Sequence, residues 1–340
     1  MTLSVSDYFA ETDLLAEVFR LSGEPFSYIN ELNVHEALTK NPQEYYHFVK
    51  QRLENIALNK AEMEMPPKIL FSDQDSDGDF RVMPCVIKDG NEVMKTVKLV
   101  GTNVIQQSVP DQITVGKACV FHPSENFITH IVEACLLSSA RTAICAMLAV
   151  DFLADNRKKM TIIGAGRVGY YAAFYAAALG WTDDVVIHDT DKLRAEKCVS
   201  SLRSEFPKIS FQASTRAALT GTDVLILCTT SSTPIYSTDD FKADLIISVG
   251  ADIDSQRELD NSWAQAASLF VDSYDSARYG DIKAWTENNL IEANSMTDLF
   301  SLITGFKLID DKRPRIFVST GTAFFDNITL SYLLKTIDGI

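Results

Sequence analysis

The 340-residue chain predicts an α/β protein with a Rossmann-type doubly wound parallel sheet in its second half. Three observations carry this. The stretch Met160-Thr-Ile-Ile-Gly-Ala-Gly-Arg-Val-Gly169 is an apolar run ending in glycines at G-x-G-x-x-G spacing, with an alanine-rich segment behind it. A second apolar run, Val185-Val186-Ile187-His188, ends in Asp189. Short apolar runs then alternate with helical patterns to residue 271, the signature of βαβ units.

Each part of the glycine stretch has a physical role. Gly164 permits a tight turn, Gly166 lets a pyrophosphate approach the backbone, and Gly169 lets the following helix pack on the strand. The helix N-terminus offers N–H groups and positive dipole to phosphates. Asp189 falls where the second strand of a dinucleotide fold presents a carboxylate to the adenosine ribose. It would repel a 2′-phosphate, so NAD is expected over NADP; no arginine follows directly, only Thr190, Asp191 and Lys192. The bland alternative is an α/β domain using these glycines for packing alone.

Composition narrows the class. The chain is 46% hydrophobic and 23% charged, as a folded globular protein of two domains would be. A net charge of −15 without a basic block makes nucleic acid and anionic membranes poor partners. The first residues show no basic and apolar pattern of a secretory signal. The long apolar segment from Ile131 to Ala154 is broken by Glu133, Arg141 and Asp151, against a membrane span. Six cysteines without a C-x-x-C pair read as reduced packing residues of a cytoplasmic protein.

Taken in order, residues up to about Glu62 read as amphipathic helices. Leu14, Leu15, Val18, Phe19 and Leu21 make one stripe; Tyr45, Phe48, Val49, Leu53 and Ile56 make another. A β-rich section follows, opened by Met65–Phe71, with further strands at Phe80–Pro84, Thr96–Val100 and Lys117–Phe121. Asp73-Gln-Asp75-Ser-Asp77-Gly78 mimics a calcium loop, but Pro84 stands where the twelfth-position glutamate is needed, so it reads as a hairpin turn and no metal is expected. The apolar stretch Leu136–Val150 reads as a helix with Ser138 or Ser139 as N-cap. Arg141 within it needs a carboxylate or phosphate partner, a structural salt bridge being the plain alternative. The domain boundary falls between Arg141 and Asp155. Beyond Asp189, Lys192–Phe206 reads as a helix. Ile209–Gln212, Asp223–Cys228, Leu245–Val249 and Leu269–Val271 read as strands. Thr229–Ser231, Gly250 and Asp252 lie at strand carboxyl ends, where such sheets bind ligands. The tail reads as a strand from Arg315 and a closing helix, Phe325–Ile337.

In this order and spacing, Pro-Pro-Lys68, Met83-Pro84, Val97-Lys98, Ser-Ser-Ala-Arg141-Thr-Ala, Ile-Ile-Gly-Ala-Gly166, Val249-Gly-Ala-Asp252 with Arg257-Glu-Leu, and Thr320-Gly-Thr-Ala with Asp326 resemble the ornithine cyclodeaminase/μ-crystallin family from about Met65 onward. The resemblance implies a homodimer with a substrate-binding and dimerisation domain built from both chain ends (residues 1–142 and 317–340) around an NAD-binding domain (143–316). It implies hydride transfer between NAD(P) and the Cα of an L-amino acid or its imine. It makes Lys98 and Asp252 catalytic, with Lys68 and Arg141 on the substrate carboxylate; Arg81 and Met83, by their place on one strand face, are expected to reach the substrate too. The cofactor would lie on Thr142, Gly164, Ala165, Gly166, Arg167, Val168, Gly169, Asp189, Thr229, Thr230, Ser231, Val249 and Ser319.

Two positions depart from the family pattern. Lys68 stands where the family usually has arginine, a point charge in place of a fork. Arg81 stands where cyclodeaminases carry glutamate, and along a strand it shares a face with Met83. The stretch from Glu133 to Ser139 is similar to the family's dehydrogenases that make 2,3-diaminopropionate for siderophores. An NAD-dependent amino-acid dehydrogenase or imine reductase is therefore expected, ahead of an ornithine cyclodeaminase or a non-enzymatic binding protein. With three other cations expected in the pocket, Arg81 suggests a second acidic group on the substrate. The alternative is that Arg81 pairs locally with Asp77 or Asp79.

Overall fold

The computed structural model describes residues 23–72, 78–292, 295–305 and 312–338. The stripe from Leu14 to Leu21 and the turn at 73–77 lie outside these residues. Two sheets organise the rest. The first has seven strands in the order β1-β7-β6-β5-β4-β2, with β3 also paired to β4. Its strands are β1 (Ser27–Ile29), β2 (Ala61–Glu64), β3 (Ile69–Ser72), β4 (Asp79–Asp89), β5 (Glu92–Thr102), β6 (Thr114–Phe121) and β7 (Ile128–Glu133). Pairing is antiparallel except between β1 and β7. Along β4 burial alternates, so Arg81, Met83, Cys85 and Ile87 share the covered face. Tyr45, Val49 and Leu53 of the Pro42–Ala57 helix are buried as their spacing predicts.

Among the described residues of the opening segment, strands β1 and β2 bracket two helices, so this part is less helical than expected. β1 has no alternating apolar pattern of its own, and the alternation of β2, Ala61-Glu-Met-Glu64, spans only four residues. Each is held by a neighbour distant in sequence, β1 by Ile131 and β2 by Ile87.

The second sheet is wholly parallel, in the order β10-β9-β8-β11-β12-β15-β13-β14. It comprises β8 (Lys159–Ile163), β9 (Asp184–His188), β10 (Ser210–Ala213), β11 (Thr222–Leu227), β12 (Ala243–Ser248), β13 (Ser268–Val271), β14 (Thr297–Asp298) and β15 (Arg315–Val318). Val224 to Leu227 are fully buried, as befits a strand covered on both faces. The chain runs outward from β8 to β9 and β10, then returns to β11 on the other side. That reversal opens a crevice at the carboxyl ends of β8 and β11.

The helix Cys135–Leu153 joins the halves. It packs on the Arg167–Ala178 helix and β12 on one side, and on β6 and the closing helix Ala323–Asp338 on the other. It is long and apolar enough to cross a membrane, yet most of it is buried within the protein. The expected boundary at 142/143 falls inside this helix and that at 316/317 inside β15. The expected serine cap is corrected: Ser138 and Ser139 lie within the helix, and Ser139 Oγ donates to Cys135 O at 2.9 Å. The free N–H groups of Cys135 and Leu136 instead donate to the two carboxylate oxygens of Glu31, each at 2.9 Å. A carboxylate at a helix N-terminus satisfies donors and dipole together, whatever its place in the sequence. All six cysteines are free.

Candidate active site

The glycine loop closes β8 as its spacing requires. Gly164 has φ of +111°, and a Cβ there would sit 2.6 Å from Cys228 O. A Cβ on Gly169 would come within 1.9 Å of Gly164 O, so loop and helix are in backbone contact. A Cβ on Gly166 would meet no protein atom within 4 Å, because that side opens into a cleft of about 1320 Å³. Gly164, Ala165, Gly166, Arg167 and Val168 line the cleft, together with Asp189, Thr229, Thr230 and Ser231. Gly169 lies beneath the loop. Asp189 accepts from the N–H groups of Ala165 at 2.7 Å and Asp191 at 2.8 Å, which fixes its carboxylate beside the helix N-terminus. These features fit a dinucleotide: a long crevice, open N–H groups for a pyrophosphate and a carboxylate for a ribose.

Residues from the part of the chain that carries the first sheet also reach this cleft: His35, Gln106 and Asp111. Arg167 Nη2 donates to Asp111 O at 2.8 Å and ties the β5–β6 loop over the glycine turn. Three expected cofactor residues do not face the cleft. Thr142 Oγ1 donates to Ser138 O at 2.8 Å, Ser319 Oγ donates to Asp272 at 2.6 Å, and Val249 is buried with its N–H on Leu227 O.

Beside the cleft, between the sheets, cations and carboxylates converge. Lys98 projects from β5, directly opposite Met83 of β4, and is 1% exposed. Its Nζ lies 2.7 Å from Asp326 of the closing helix, whose other oxygen accepts from Arg141 Nε at 3.0 Å. Burial pushes the Lys98 ammonium down to about 7, with Arg141 adding to the effect and Asp326 opposing it. Arg141 keeps Nη1 and Nη2 pointed at Gly321, where a Cβ would stand 3.2 and 3.1 Å from them. Lys68 Nζ donates to Thr320 O at 2.7 Å and lies 3.8 Å from the Tyr279 ring centre. Burial lowers it to about 8.

Arg81 closes the group. Its Nε and Nη2 donate to the two oxygens of Asp79 at 3.0 and 3.2 Å, and Nη1 donates to Asp252 at 2.6 Å. Burial drives the Asp252 carboxyl up, but Arg81 and then Lys68 outweigh it and hold it below the usual carboxylate range. The surplus cation behind the expected second acidic group is therefore absent: Arg81 is paired, locally with Asp79 and, beyond its own sheet, with Asp252 of the loop after β12.

Four buried carboxylates frame the site, and the chemical assignment from sequence passed over them. Asp326 interrupts the apolar run Ala323-Phe-Phe-Asp-Asn-Ile328, and an acid in such a run is itself the available signal. Glu258 accepts from Thr229 N and Oγ1, Ser248 Oγ and Gly250 N, stapling the ends of β11 and β12 together. Burial pushes its carboxyl up to about 7 against those donors. Asp281 holds Arg257 and the Glu258 N–H, and Asp272 holds Ser276 and Ser319. Thr229, on the cleft, is thus fixed by one carboxylate to Gly250, two residues before Asp252 of the ion cluster. Such an arrangement can hold a dinucleotide against a small anionic substrate and move a proton beside it.

The chain matches the ornithine cyclodeaminase/mu-crystallin family over residues 31–338. Ketimine reductase mu-crystallin of Macropus fuliginosus is 26% identical over 254 residues, 73% of this chain and 77% of that protein. The fold is shared with Thermococcus litoralis Δ1-pyrroline-2-carboxylate reductase in complex with NADH and L-proline. The TM-score is 0.81 at 19% identity, over 92% of this chain and 97% of that one. It is shared also with an archaeal alanine dehydrogenase dimer with bound NAD, at TM-score 0.78 and 21% identity over 92% and 96%. Match, fold and site geometry agree: the chain belongs to the ornithine cyclodeaminase/mu-crystallin family.

Proposed function

We infer that this chain is an NAD-dependent oxidoreductase acting on the Cα–N bond of an L-amino acid or its imine. The observation that carries this is the placement of the Lys98–Arg141–Asp326 cluster and Asp252 beside a cleft built for a dinucleotide. The relatives support it, one named a ketimine reductase and one fold-mate holding NADH and L-proline.

NAD, when bound, supplies the hydride acceptor, or in reduced form the donor, for Cα. The chain's own residues do the rest. Arg141 presents two N–H edges to the substrate carboxylate. Lys98, poised near neutrality, supplies a proton to the nitrogen in the reductive direction and accepts one in the oxidative direction. Asp252, kept ionised by Arg81, stabilises positive charge on that nitrogen. Asp189 favours NAD over NADP. A homodimer is supported by the apolar outer face of the first sheet, where Ile69, Phe71, Phe80 and Leu99 are each at least 45% exposed, and by the dimeric dehydrogenase of like fold. The six free cysteines support a cytoplasmic protein.

The test is purified protein with NAD or NADH and a panel of L-amino acids and 2-oxo acids with amines, followed by absorbance and product mass. Net change in NADH with formation of the matching amine or imine is the expected result. Proline from ornithine without net NADH change makes the chain a cyclodeaminase, and tight binding without turnover makes it a binding protein. Either would overturn the proposal.

A further inference from the structure

Resting on that reading of the site, the donor count around Arg81 and Arg141 says which substrates the pocket takes. Arg81 is 8% exposed and engaged on both edges. Asp79 holds Nε and Nη2, Thr102 Oγ1 lies 3.3 Å from Nη2, and Asp252 holds Nη1. Four contacts on a group with five N–H donors leave no free bidentate edge. Lys68 is committed to a backbone carbonyl and an aromatic face, and Lys98 to Asp326. Arg141 differs. It is 7% exposed and only its Nε is engaged by a carboxylate. Nη1 and Nη2 donate to none of the described residues, and the left-handed Gly321 (φ +81°) keeps a side chain out of the space before them.

We propose that the pocket accepts a substrate with a single carboxylate and a side chain without negative charge, because Arg141 offers the vacant fork while Asp79 and Asp252 occupy Arg81. A second carboxylate reaching Arg81 would have to displace one of two acids already paired with it, or stand beside them uncompensated; like charges in such contact are strongly disfavoured. Arg81 is thereby a positioning residue for Asp252, and Asp79 is the residue that sets side-chain specificity.

Two readouts on the full-length protein test this. Reduction is followed with NADH, ammonium and either pyruvate or oxaloacetate. Thermal stabilisation in the presence of NAD is compared for L-alanine and L-proline against L-aspartate and L-glutamate. The monocarboxylates should be favoured by about 10-fold or more in kcat/KM, and they alone should raise the melting temperature. Asp79→Asn, which releases one edge of Arg81, should move the oxaloacetate-to-pyruvate ratio several-fold towards the diacid. Equal or better handling of the diacids by the wild-type protein would overturn the assignment, as would an Asp79→Asn ratio that does not move. Stabilisation by the monocarboxylates without any NADH change would sink the proposed reaction and leave the pocket assignment standing. The absence of both stabilisation and NADH change with either series would remove both.

Discussion

The cofactor cleft and the ion cluster lie side by side but are built from different materials. The cleft is made of backbone: glycines without Cβ atoms, open N–H groups and one carboxylate fixed by two of them. The cluster is made of long charged side chains delivered by β4, β5, two helices and the loop after β12. Backbone sites tolerate neighbours poorly but carry little charge, whereas ionic sites depend on every partner being present. Damage to the cleft should therefore read out in cofactor affinity, and damage to the cluster in stability and turnover.

The largest effect is expected from Asp326→Ala. It leaves Lys98 and Arg141 as buried cations without their shared carboxylate, and should cost about 3–5 kcal/mol of stability in urea unfolding. A loss under about 1 kcal/mol would mean the cations do not need this acid. Next comes Lys98→Ala, for which turnover should drop roughly 100-fold or more while NADH binding by fluorescence titration is unchanged. The same residue sets a pH dependence. With Lys98 near 7, reductive kcat/KM should fall as pH rises through that value, because the proton donor is lost, and oxidative kcat/KM should rise. Lys98→Arg should abolish both inflections. On the cleft side, Gly169→Ala forces a methyl against Gly164 O and should weaken NAD binding about 10-fold, with the pH profile preserved. The smallest change is expected for Asp189→Ser, which should reduce the preference for NAD over NADP by several-fold. An unchanged preference would place discrimination elsewhere in the cleft.

The same contrast explains what the sequence reveals. The glycine loop and Asp189 are legible because their chemistry is local: a turn, a helix start and a strand end lie within 30 residues of one another. Lys98, Arg141 and Asp252 are legible as residue types in recurring motifs, but their partners are not. Nothing near Arg141 in sequence announces Asp326, and nothing near Asp252 announces Arg81. Helix capping fails for the same reason. The local rule nominates Ser138 or Ser139, whereas the actual acceptor is Glu31, more than a hundred residues away. Strand β1 carries no periodic signal because three residues paired to β7 need none.

Residues 315–338 supply both β15, which sits between β12 and β13, and the carboxylate of Asp326. During synthesis every other described part of the molecule emerges before them. Until they arrive, the parallel sheet has a missing central strand, with the edges of β12 and β13 unpaired, and Lys98 and Arg141 have no counter-ion to be buried with. Completion of the substrate side thus waits for β15 and the helix Ala323–Asp338, after every other described element. A protein shortened before Arg315 should be a client for chaperones and proteases, whereas one lacking only the Arg167–Asp111 tether should mature normally.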